Sequence, residues 1–441
     1  RLVREVARRR DQTLHPGDRP GVGDRQRTIE SPRPPEDTCL CCFGKAHFPD
    51  NYVSESRRLQ EGPRPQPRTS LRSPPPMIKY LGSKRRLAPV LGAIAEATGA
   101  RSALDLFTGT TRIAQEFKRR QAFVTAVDTA RYSEMFARCY IETDAAAVDK
   151  EDLAEALAYL DSLPGRPGYV TDTFCVRSRY LQPHNGARID AIREEIERTW
   201  RPSPLYPILL TALIEAADRV DSTTGVQMAY VKRWSARSYR PLRLRAPELL
   251  PGTGRALRGD ACDLVHTVGH HDLAYLDPPY NQHRYDANYH VWETLVAWDA
   301  PAHYGVACKR TDIRDPANRS VFNRRAEMPA ALCAVLGALD ADLVVLSYND
   351  ESWIRLEELQ QMCAVRGHVD TLAFDSRRYV GALIGIHNHR GEKVGTVRRT
   401  RNVEYLLLAG PRELVHRAVA GIGTAVAGLQ HWRSCPNGRR H

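Results

Sequence analysis

The sequence predicts an α/β fold, a Rossmann-like sheet with helices on both faces, to which an inserted, mainly helical domain is added. Short apolar runs that end in an acid, at Asp105, Asp128 and Asp277, are typical of buried strands. The first run is followed by a turn with a glycine and then by a helical stretch, the order found in doubly wound folds. About 170 positions separate the acids at 105 and 277, many more than a simple crossover between parallel strands needs. The excess predicts the inserted domain.

The first strand and its turn predict a site for a nucleoside cofactor. Residues 103–107 form the strand, the turn after it holds Gly109, and residues 112–120 form the helix. This geometry lets the backbone approach a cofactor at a helix N-terminus. No Gly-x-Gly-x-x-Gly is present, which favours a cofactor without a pyrophosphate. A second strand, 123–128, ends in Asp128 about 20 residues past the turn, where Rossmann-type sites place the acceptor for the ribose hydroxyls.

A strand followed by Asp277-Pro278-Pro279-Tyr280 suits the binding of a planar amine. The apolar run 273–276 leads into this corner. The Asp277 carboxylate and the Pro278 carbonyl are acceptors, and the two prolines have no backbone N–H to compete with the amine. The Tyr280 ring offers a flat face on which a base can stack. Such a corner accepts hydrogen bonds from an exocyclic amino group and directs the nitrogen lone pair towards an electrophilic methyl group.

Four segments together resemble one family of enzymes. Tyr80-Leu81-Gly82-Ser83-Lys84 is similar to an N-terminal cofactor motif, and Asp105-Leu106-Phe107-Thr108-Gly109 resembles an Asp-x-Phe-x-Gly motif. Asp277 to Tyr280 is similar to a catalytic Asp-Pro-Pro-Tyr, and Gly259-Asp260 precedes the catalytic strand. Over residues 77–410 the chain resembles the D12 group of adenine-specific DNA methyltransferases, the Dam-like family that uses S-adenosylmethionine.

The resemblance implies a role for each matching residue. Asp128 would hold the ribose hydroxyls, and Asp260 would accept from the amino group of the cofactor's adenine. The catalytic residues that it implies are Asp277, Pro278, Pro279 and Tyr280. The implied cofactor-binding residues are Tyr80, Gly82, Lys84, Asp105, Phe107, Gly109, Asp128 and Asp260. No metal is expected in this chemistry.

The implied activity is direct methyl transfer from S-adenosylmethionine to N6 of an adenine in duplex DNA. The adenine must leave the helix, since its amino group is otherwise paired. Any exocyclic amine on a planar ring fits the corner, so cytosine N4 or an RNA adenine is an alternative substrate. An inactive nucleic-acid-binding protein is an alternative from another class. The leading Asp favours adenine by resemblance, and the resemblance also raises a cognate restriction endonuclease as a partner.

The order of the motifs divides the chain into regions. We expect the catalytic, cofactor-binding domain at 77–145 and 256–410, with the target-recognition domain inserted at 146–255. Residues 1–76 form an Arg- and Pro-rich extension, and residues 411–441 a C-terminal tail.

The inserted region and the later part of the chain contain further predicted elements. Apolar residues recur at helical spacing over 189–200, and 205–217 is almost continuously apolar, so both are predicted helices. Residues 343–349 and 403–408 are predicted strands. Cations alternate with aromatic residues near 232–245, a composition suited to phosphates and bases. The predicted nucleic-acid-binding residues are Arg177, Arg179, Lys232, Arg233, Arg237, Arg240, Lys309 and Arg310.

The N-terminal extension differs in composition from the rest. Residues 1–76 contain 12 of the 29 prolines and no methionine. We therefore expect the native protein to begin at Met77, with the preceding stretch disordered or an upstream reading-frame extension. The cysteine cluster at 39–42 lacks the spacing of common zinc sites, so no metal is predicted there.

Charge and hydropathy narrow the class of protein. The formal net charge of +12 fits a polyanionic partner. The ten cysteines follow no disulfide framework, which is typical of reduced thiols, and no run approaches the roughly 18 apolar residues of a membrane span. We expect a cytoplasmic monomer that binds duplex DNA and no membrane.

Overall fold

The computed structural model describes residues 77–82, 84–228, 233–281, 284–377, 386–387, 393–395, 401–423 and 432–434. The extension 1–76, with its cysteine cluster, and Lys232 lie outside the described residues. The helices are α1 (Ala88–Thr98), α2 (Arg112–Arg119), α3 (Arg131–Ala137), α4 (Lys150–Ser162), α5 (Pro183–Trp200), α6 (Tyr206–Val220), α7 (Ala261–Leu264), α8 (Tyr285–Asn288), α9 (His290–Ala297), α10 (Met328–Ala338), α11 (Leu356–Cys363) and α12 (Arg412–Gly421).

The strands are β1 (Ser102–Asp105), β2 (Phe123–Asp128), β3 (Arg255–Arg258), β4 (His271–Leu276), β5 (His303–Tyr304), β6 (Lys309–Arg310), β7 (Ala341–Asn349), β8 (His368–Arg377), β9 (Ile386–His387), β10 (Lys393–Gly395), β11 (Arg401–Gly410) and β12 (Trp432–Ser434). Short π-helical segments occur at Arg138–Glu142 and Thr171–Arg177, and 3₁₀ turns at Ala145–Ala147, Ala236–Tyr239, Thr311–Arg314, Pro316–Asn318, Val321–Asn323 and Ala364–Arg366.

Eight strands form one sheet in the order β12-β8-β11-β7-β4-β1-β2-β3. Neighbouring strands from β3 to β7 pair in parallel. The remaining strands, β11, β8 and β12, pair antiparallel at one side. A mostly parallel sheet combined with many helices confirms the predicted α/β class.

Both faces of this sheet are buried under helices because successive strand residues point to opposite sides. Ala103 of β1 and Leu273 of β4 belong to a core formed with α1, α2 and α6. Their neighbours Leu104 and Ala274 belong to a second core formed with α7, α10 and α11. Near-continuous apolar runs on the central strands therefore supply both cores.

The strand order creates a switch point at the centre of the sheet. The chain runs outward from β1 to β2 and β3, and then returns to β4 on the other side of β1. Ligands of open α/β sheets bind at such a point, beyond the carboxyl ends of the strands. Asp105 ends β1 and Asp277 directly follows β4. The predicted strands at 103–107, 123–128 and 273–276 thus deliver their acids to one edge.

The long segment between β2 and β3 folds as helices that join the main core. The predicted helix over 189–200 lies within α5, and the apolar run 205–217 lies almost wholly within α6. Ile192 of α5 and Leu209 of α6 are fully buried in the same core as α1. These helices pack on each other, and α6 also packs against α3. The inserted helices therefore share their apolar core with one face of the sheet.

The C-terminal part completes the sheet. The predicted strands 343–349 and 403–408 lie within β7 and β11. From the predicted tail 411–441, α12 packs against α1 and β12 pairs with β8. Within the described ranges, no helix is long and apolar enough to cross a membrane.

Candidate functional site

A cleft opens at the carboxyl edge of the sheet, above the switch point. Its empty volume, open mouth included, is about 1050 Å³, near the upper end of the range for small-molecule sites. All eight residues predicted to bind the cofactor line it, together with two of the predicted catalytic residues. These are Tyr80, Gly82, Lys84, Asp105, Phe107, Gly109, Asp128, Asp260, Asp277 and Pro279.

Asp105 connects the first strand with the helix that follows. Its Oδ2 accepts from Thr108 Oγ1 at 2.9 Å and from the Ala114 N–H at 3.2 Å. Its Oδ1 is buried and receives no hydrogen bond from the described residues. Burial raises the pKa of Asp105 to about 7. One oxygen therefore holds the turn together, while the other remains an acceptor for a ligand.

The turn after β1 is held tightly against the end of β2. Gly109 has φ +51° and donates its N–H to Asp128 Oδ2 at 2.9 Å. A Cβ at this position would lie 3.1 Å from Tyr80 Oη, so glycine serves both the conformation and the close approach. Asp128 Oδ1 accepts from the Ala130 N–H at 3.0 Å, and burial raises the pKa of Asp128.

Aromatic rings form one wall of the cleft. Tyr80 stacks on Tyr289 with ring centroids 4.6 Å apart, and on Tyr285 at 5.4 Å. Phe107 meets Phe322 edge to face at 5.0 Å. These contacts fix flat apolar surfaces beside the carboxylates, an arrangement suited to a nucleoside with a planar base and polar hydroxyls.

Lys84 lies between two carboxylates beside the catalytic corner. Its Nζ is 2.5 Å from Glu404 Oε1 and 3.1 Å from Asp277 Oδ1. Burial disfavours the ammonium, but Asp277 and Glu404 outweigh it and raise the pKa of Lys84 well above its usual value. Burial raises the pKa of Asp277 to about 6; Lys84 opposes this rise and Glu404 adds to it. Asp277 is therefore mostly ionised at pH 7.

The rest of the corner is packed against neighbouring side chains. Pro278 is buried. The Tyr280 ring packs on Tyr348 with centroids 5.3 Å apart, and the Lys84 ammonium lies 5.6 Å from the Tyr280 centroid. The Tyr280 carbonyl also accepts from the Trp353 N–H at 3.4 Å. The ring is thereby supported from one side by its neighbours.

Some residues of the site were not predicted from the sequence. The predicted Asp260 has a structural role as well, since it caps α7 by accepting from the Cys262 N–H at 2.8 Å. Other residues of the site had no such prediction. Tyr285 and Phe322, which line the cleft, and Glu404, which pairs with Lys84, were not among the predicted site residues. The signal for Glu404 was an acid inside the otherwise apolar run 403–408, since a buried acid in a central strand needs a partner. No comparable signal marked Phe322.

The two basic segments predicted to contact nucleic acid meet in space. The Arg179 guanidinium lies 4.8 Å from the centroid of the Trp234 ring. Arg177, Arg233 and Arg240 are exposed nearby along the same segments. We call Arg177, Arg179, Arg233, Trp234 and Arg240 the basic surface. Exposed cations beside an aromatic ring can neutralise phosphates and stack on bases.

Other predicted contact residues are engaged within the protein. Arg310 is buried and binds Asp299 through both terminal nitrogens, at 2.7 and 2.8 Å, and Asp312 at 2.7 Å. Its charge is thus satisfied internally, which leaves Arg310 poorly placed to contact a phosphate. Arg237 is half-buried and donates to Asp221 from two of its nitrogens. Lys309 lies half-buried beside the Met228 sulfur at 3.5 Å.

The fold and the cleft define a class of α/β protein that binds a nucleoside-type ligand at the switch point beside a planar-amine corner. The chain belongs to the D12 class N6 adenine-specific DNA methyltransferase family, whose model matches residues 80–362. The protein is accordingly an enzyme that methylates adenine in DNA at N6 and requires a methyl donor of the S-adenosylmethionine type.

Characterised relatives are modification methylases. The type II methyltransferase M.NlaIII of Neisseria lactamica is 27% identical over 329 residues, covering 71% of this chain and 96% of that protein. The modification methylase StsI of Streptococcus sanguinis is 29% identical, covering 68% of this chain and 49% of StsI. The type II methyltransferase M.FokI of Planomicrobium okeanokoites is 26% identical, covering 67% and 48%. The chain thus spans about half the length of StsI and M.FokI. No solved structure matches the chain.

Proposed function

We propose that this protein transfers a methyl group from S-adenosylmethionine to N6 of a flipped adenine in duplex DNA, with Asp277, Pro278, Pro279 and Tyr280 as its catalytic corner. One observation carries the proposal. The cofactor-type acceptors Asp105 and Asp128 line the same cleft as the Asp277 carboxylate, across the switch point of the sheet. A nucleoside cofactor and a substrate amine can therefore meet there.

The chemistry of the cleft fits this methyl donor. Five aspartates line it, with Lys84 and Arg112 as the cations. Such a site repels the phosphates of a dinucleotide, whereas it accepts hydroxyl and ammonium groups and a positively charged sulfonium. The buried, unbonded Oδ1 of Asp105 offers one acceptor. In this assignment Asp128 accepts from the ribose hydroxyls and Asp260 from the adenine amino group of the donor, while Tyr80 and Phe107 contact its apolar surfaces.

The corner residues act on the substrate amine. The adenine stacks on Tyr280, and its amino group donates to the Asp277 carboxylate and the Pro278 carbonyl. These two bonds favour lone-pair density on the nitrogen and hold it in place, so that positioning supplies much of the acceleration. When bound, S-adenosylmethionine supplies an electrophilic methyl group: a nitrogen–carbon bond forms as the carbon–sulfur bond breaks. The amine then loses one proton, which Asp277 passes to solvent.

The basic surface is the proposed contact for duplex DNA. Residues 146–255 are the proposed recognition domain, and 77–145 with 256–410 the catalytic domain. Support comes from the exposed Arg177, Arg233 and Arg240, which lie on or beside this segment. Phosphate contacts there would hold the duplex while the adenine leaves the helix.

The relatives suggest a biological setting. M.NlaIII and M.FokI are type II methyltransferases by name. We propose by analogy that this chain acts as a monomer in the cytoplasm beside a cognate restriction endonuclease. Deletion of the methylase gene in the presence of that endonuclease would then be lethal, and tolerance of the deletion would contradict a restriction-modification role.

Transfer of a tritiated methyl group tests the reaction directly. The purified protein is incubated with labelled S-adenosylmethionine and unmethylated duplex DNA, and the nucleosides are then separated. We expect label in N6-methyladenine. Label in N4-methylcytosine would change the base, and label found only with an RNA substrate would change the nucleic acid. Binding of the donor without any transfer would contradict the proposed activity.

A further inference from the structure

We propose that Glu404 is a positioning residue for methyl transfer, because it takes up the Lys84 ammonium and so leaves Oδ1 of Asp277 available to the substrate amine. The inference rests on the proposed role of Asp277 as the amine acceptor. Glu404 lies on β11, beyond the residues 80–362 that the family model matches.

The geometry divides the ammonium unequally between its two carboxylates. Lys84 Nζ hydrogen-bonds Glu404 Oε1 at 2.5 Å. Its contact with Asp277 Oδ1 is ionic at 3.1 Å, and that buried oxygen receives no hydrogen bond of good geometry from the described residues. Lys84 therefore acts on Asp277 chiefly through its charge, while one of its three N–H groups is committed to Glu404. The oxygen keeps a lone pair for an incoming donor.

Glu404 is itself held in place by the neighbouring strand. Ser347 of β7, which is fully buried, donates from Oγ to the same Oε1 of Glu404 at 3.1 Å. Register pairs Leu406 with Ser347 and Glu404 with Asn349, so the contact crosses from β11 to β7. Two buried donors, Lys84 Nζ and Ser347 Oγ, thus hold one oxygen of Glu404 in place. A carboxylate buried this way is costly unless its partners persist.

Removal of this charge should redistribute the ammonium. In Glu404→Gln, Asp277 becomes the one carboxylate in contact with Lys84, and its Oδ1 becomes a hydrogen-bond acceptor for Nζ. The substrate amine then has to displace that bond. The pKa of Asp277 should also fall, because Glu404 is one of the groups that raise it.

Several titratable groups face Asp277, and only some of them change in the experiment. They are Lys84, Asp105, Tyr275, Tyr280, Tyr285 and Glu404. Burial raises the pKa of each of the three tyrosines, so they stay neutral at the pH values of the assay. Asp105 titrates close to Asp277, with a pKa of about 7. A difference between wild type and Glu404→Gln therefore isolates the contribution of Glu404.

The test measures single-turnover methylation of a DNA duplex by the full chain between pH 5 and 8. Glu404→Gln should lower the rate constant about tenfold, leave DNA affinity within about twofold, and move the acidic midpoint to lower pH. Glu404→Asp, which keeps the charge, should restore part of the rate and the wild-type midpoint. Glu96→Gln, with a side chain 67% exposed on α1, is the matched control and should leave both unchanged.

The outcomes separate this inference from the proposed function. A wild-type chain that methylates no adenine overturns the proposed function. An active wild type with unchanged rate and midpoint in Glu404→Gln overturns only the role of Glu404. Equal losses in Glu404→Gln and Glu404→Asp with a fixed midpoint also overturn it, since a structural role gives that result. If Glu404→Gln does not fold, Ser347→Ala, which removes one donor from Glu404, should show a smaller rate loss with DNA affinity unchanged; an unchanged rate constant there overturns the inference.

Discussion

At the scale of single residues, the catalytic corner depends on the Asp277 carboxylate, which stays charged although it is largely buried. We predict that Asp277→Asn lowers the methylation rate constant at least about a hundredfold. The neutral amide does not offset the positive charge that develops on the amine nitrogen, and its NH₂ group competes as a donor. Affinity for duplex DNA should remain within about threefold, since the basic surface is untouched. Single-turnover kinetics and fluorescence anisotropy on one labelled duplex measure both quantities.

Asp340→Asn provides the control for this change. Asp340 precedes β7, its side chain is 68% exposed, and it is not part of the catalytic corner. Its substitution should therefore leave the rate constant unchanged. Methylation by Asp277→Asn at the wild-type rate would remove Asp277 from the catalytic corner. A parallel loss of DNA binding would instead indicate a folding defect.

Gly109 has both a positive φ and a close neighbour, whereas Gly99 has a positive φ alone. Its φ is +51°, and an added Cβ would lie 3.1 Å from Tyr80 Oη. Gly99 has φ +73° with nothing within 4 Å of an added Cβ. Both Gly→Ala changes should therefore cost roughly 1 kcal/mol in unfolding free energy. Only Gly109→Ala should also weaken S-adenosylmethionine binding, by roughly tenfold in Kd.

Calorimetry with the methyl donor and urea unfolding distinguish the two contributions. Equal Kd values for Gly99→Ala and Gly109→Ala would show that the contact with Tyr80 has no part in cofactor binding. A Kd that rises only in Gly109→Ala would support the aromatic wall as a cofactor surface.

The residues that could be predicted from the sequence are those close to a strand end. Asp105, Asp128 and Asp277 each follow an apolar run, and parallel strands bring such ends to one edge. Glu404 could not be assigned in this way, because its partner Lys84 is 320 positions away along the chain. Its role depends on an antiparallel strand inserted next to β7, and local periodicity carries no information on that neighbour.

At the scale of elements, composition identified the basic segments but could not separate exposed from buried cations. Arg233 and Arg310 both lie in polar, Arg-rich sequence. Arg233 is exposed, whereas the Arg310 side chain is buried and pairs with the more exposed carboxylates of Asp299 and Asp312. Arg310 lies on the two-stranded β5–β6 ribbon opposite His303, and its guanidinium reaches both acids. Sequence spacing does not contain that pairing.

We predict that Arg233→Ala and Arg240→Ala weaken binding of duplex DNA irrespective of its sequence. Each lost phosphate contact should reduce the slope of log K against log salt by about 1. The cause is that fewer counterions are released on binding. Anisotropy titrations at several salt concentrations, on a site-containing and an unrelated duplex, measure the slope.

Two further arginines serve as comparisons. Arg355→Ala changes a side chain that is 80% exposed at the N-terminus of α11, and the salt dependence of DNA binding should match that of wild type. Arg310→Ala should lower the unfolding free energy, since it leaves Asp299 and Asp312 without their partner. A full salt slope in Arg233→Ala and Arg240→Ala would place the DNA on another face.

At the scale of the whole molecule, the inserted helices and the sheet share one apolar core. Domain boundaries drawn from motif order do not reveal this, because the motifs mark the chemistry and not the packing. Ile192 and Leu209 of the insertion are buried together with Val90 of α1. The insertion is thus packed directly against the face of the sheet that holds α1 and α2, whatever its role in recognition.

Several carboxyl groups are wholly or largely buried in the fold, and their titration contributes to how stability changes with pH. Burial raises the pKa of Asp277 and Asp218 to about 6, and of Asp105 and Glu293 to about 7. The folded state therefore binds protons that the unfolded chain has already released. Their contribution to stability is full below the unfolded pKa near 4 and is lost as the pH rises through about 6 to 7.

We therefore predict that the unfolding free energy falls between pH 5 and pH 8, whereas methylation requires ionised Asp277 and rises over the same range. Asp105→Asn removes one of the buried acids and should reduce the fall by on the order of 2 kcal/mol. Urea unfolding of wild type, Asp105→Asn and the exposed control Glu155→Gln at pH 5, 6, 7 and 8 measures it. The buried His290, whose pKa burial lowers to about 3, opposes this fall below about pH 6.5 in both proteins, so the difference between them is the diagnostic quantity. An equal fall in wild type and Asp105→Asn would show that Asp105 is ionised in the folded protein across this range. Saturating S-adenosylmethionine should offset the fall, because ligand binding stabilises the folded state by mass action.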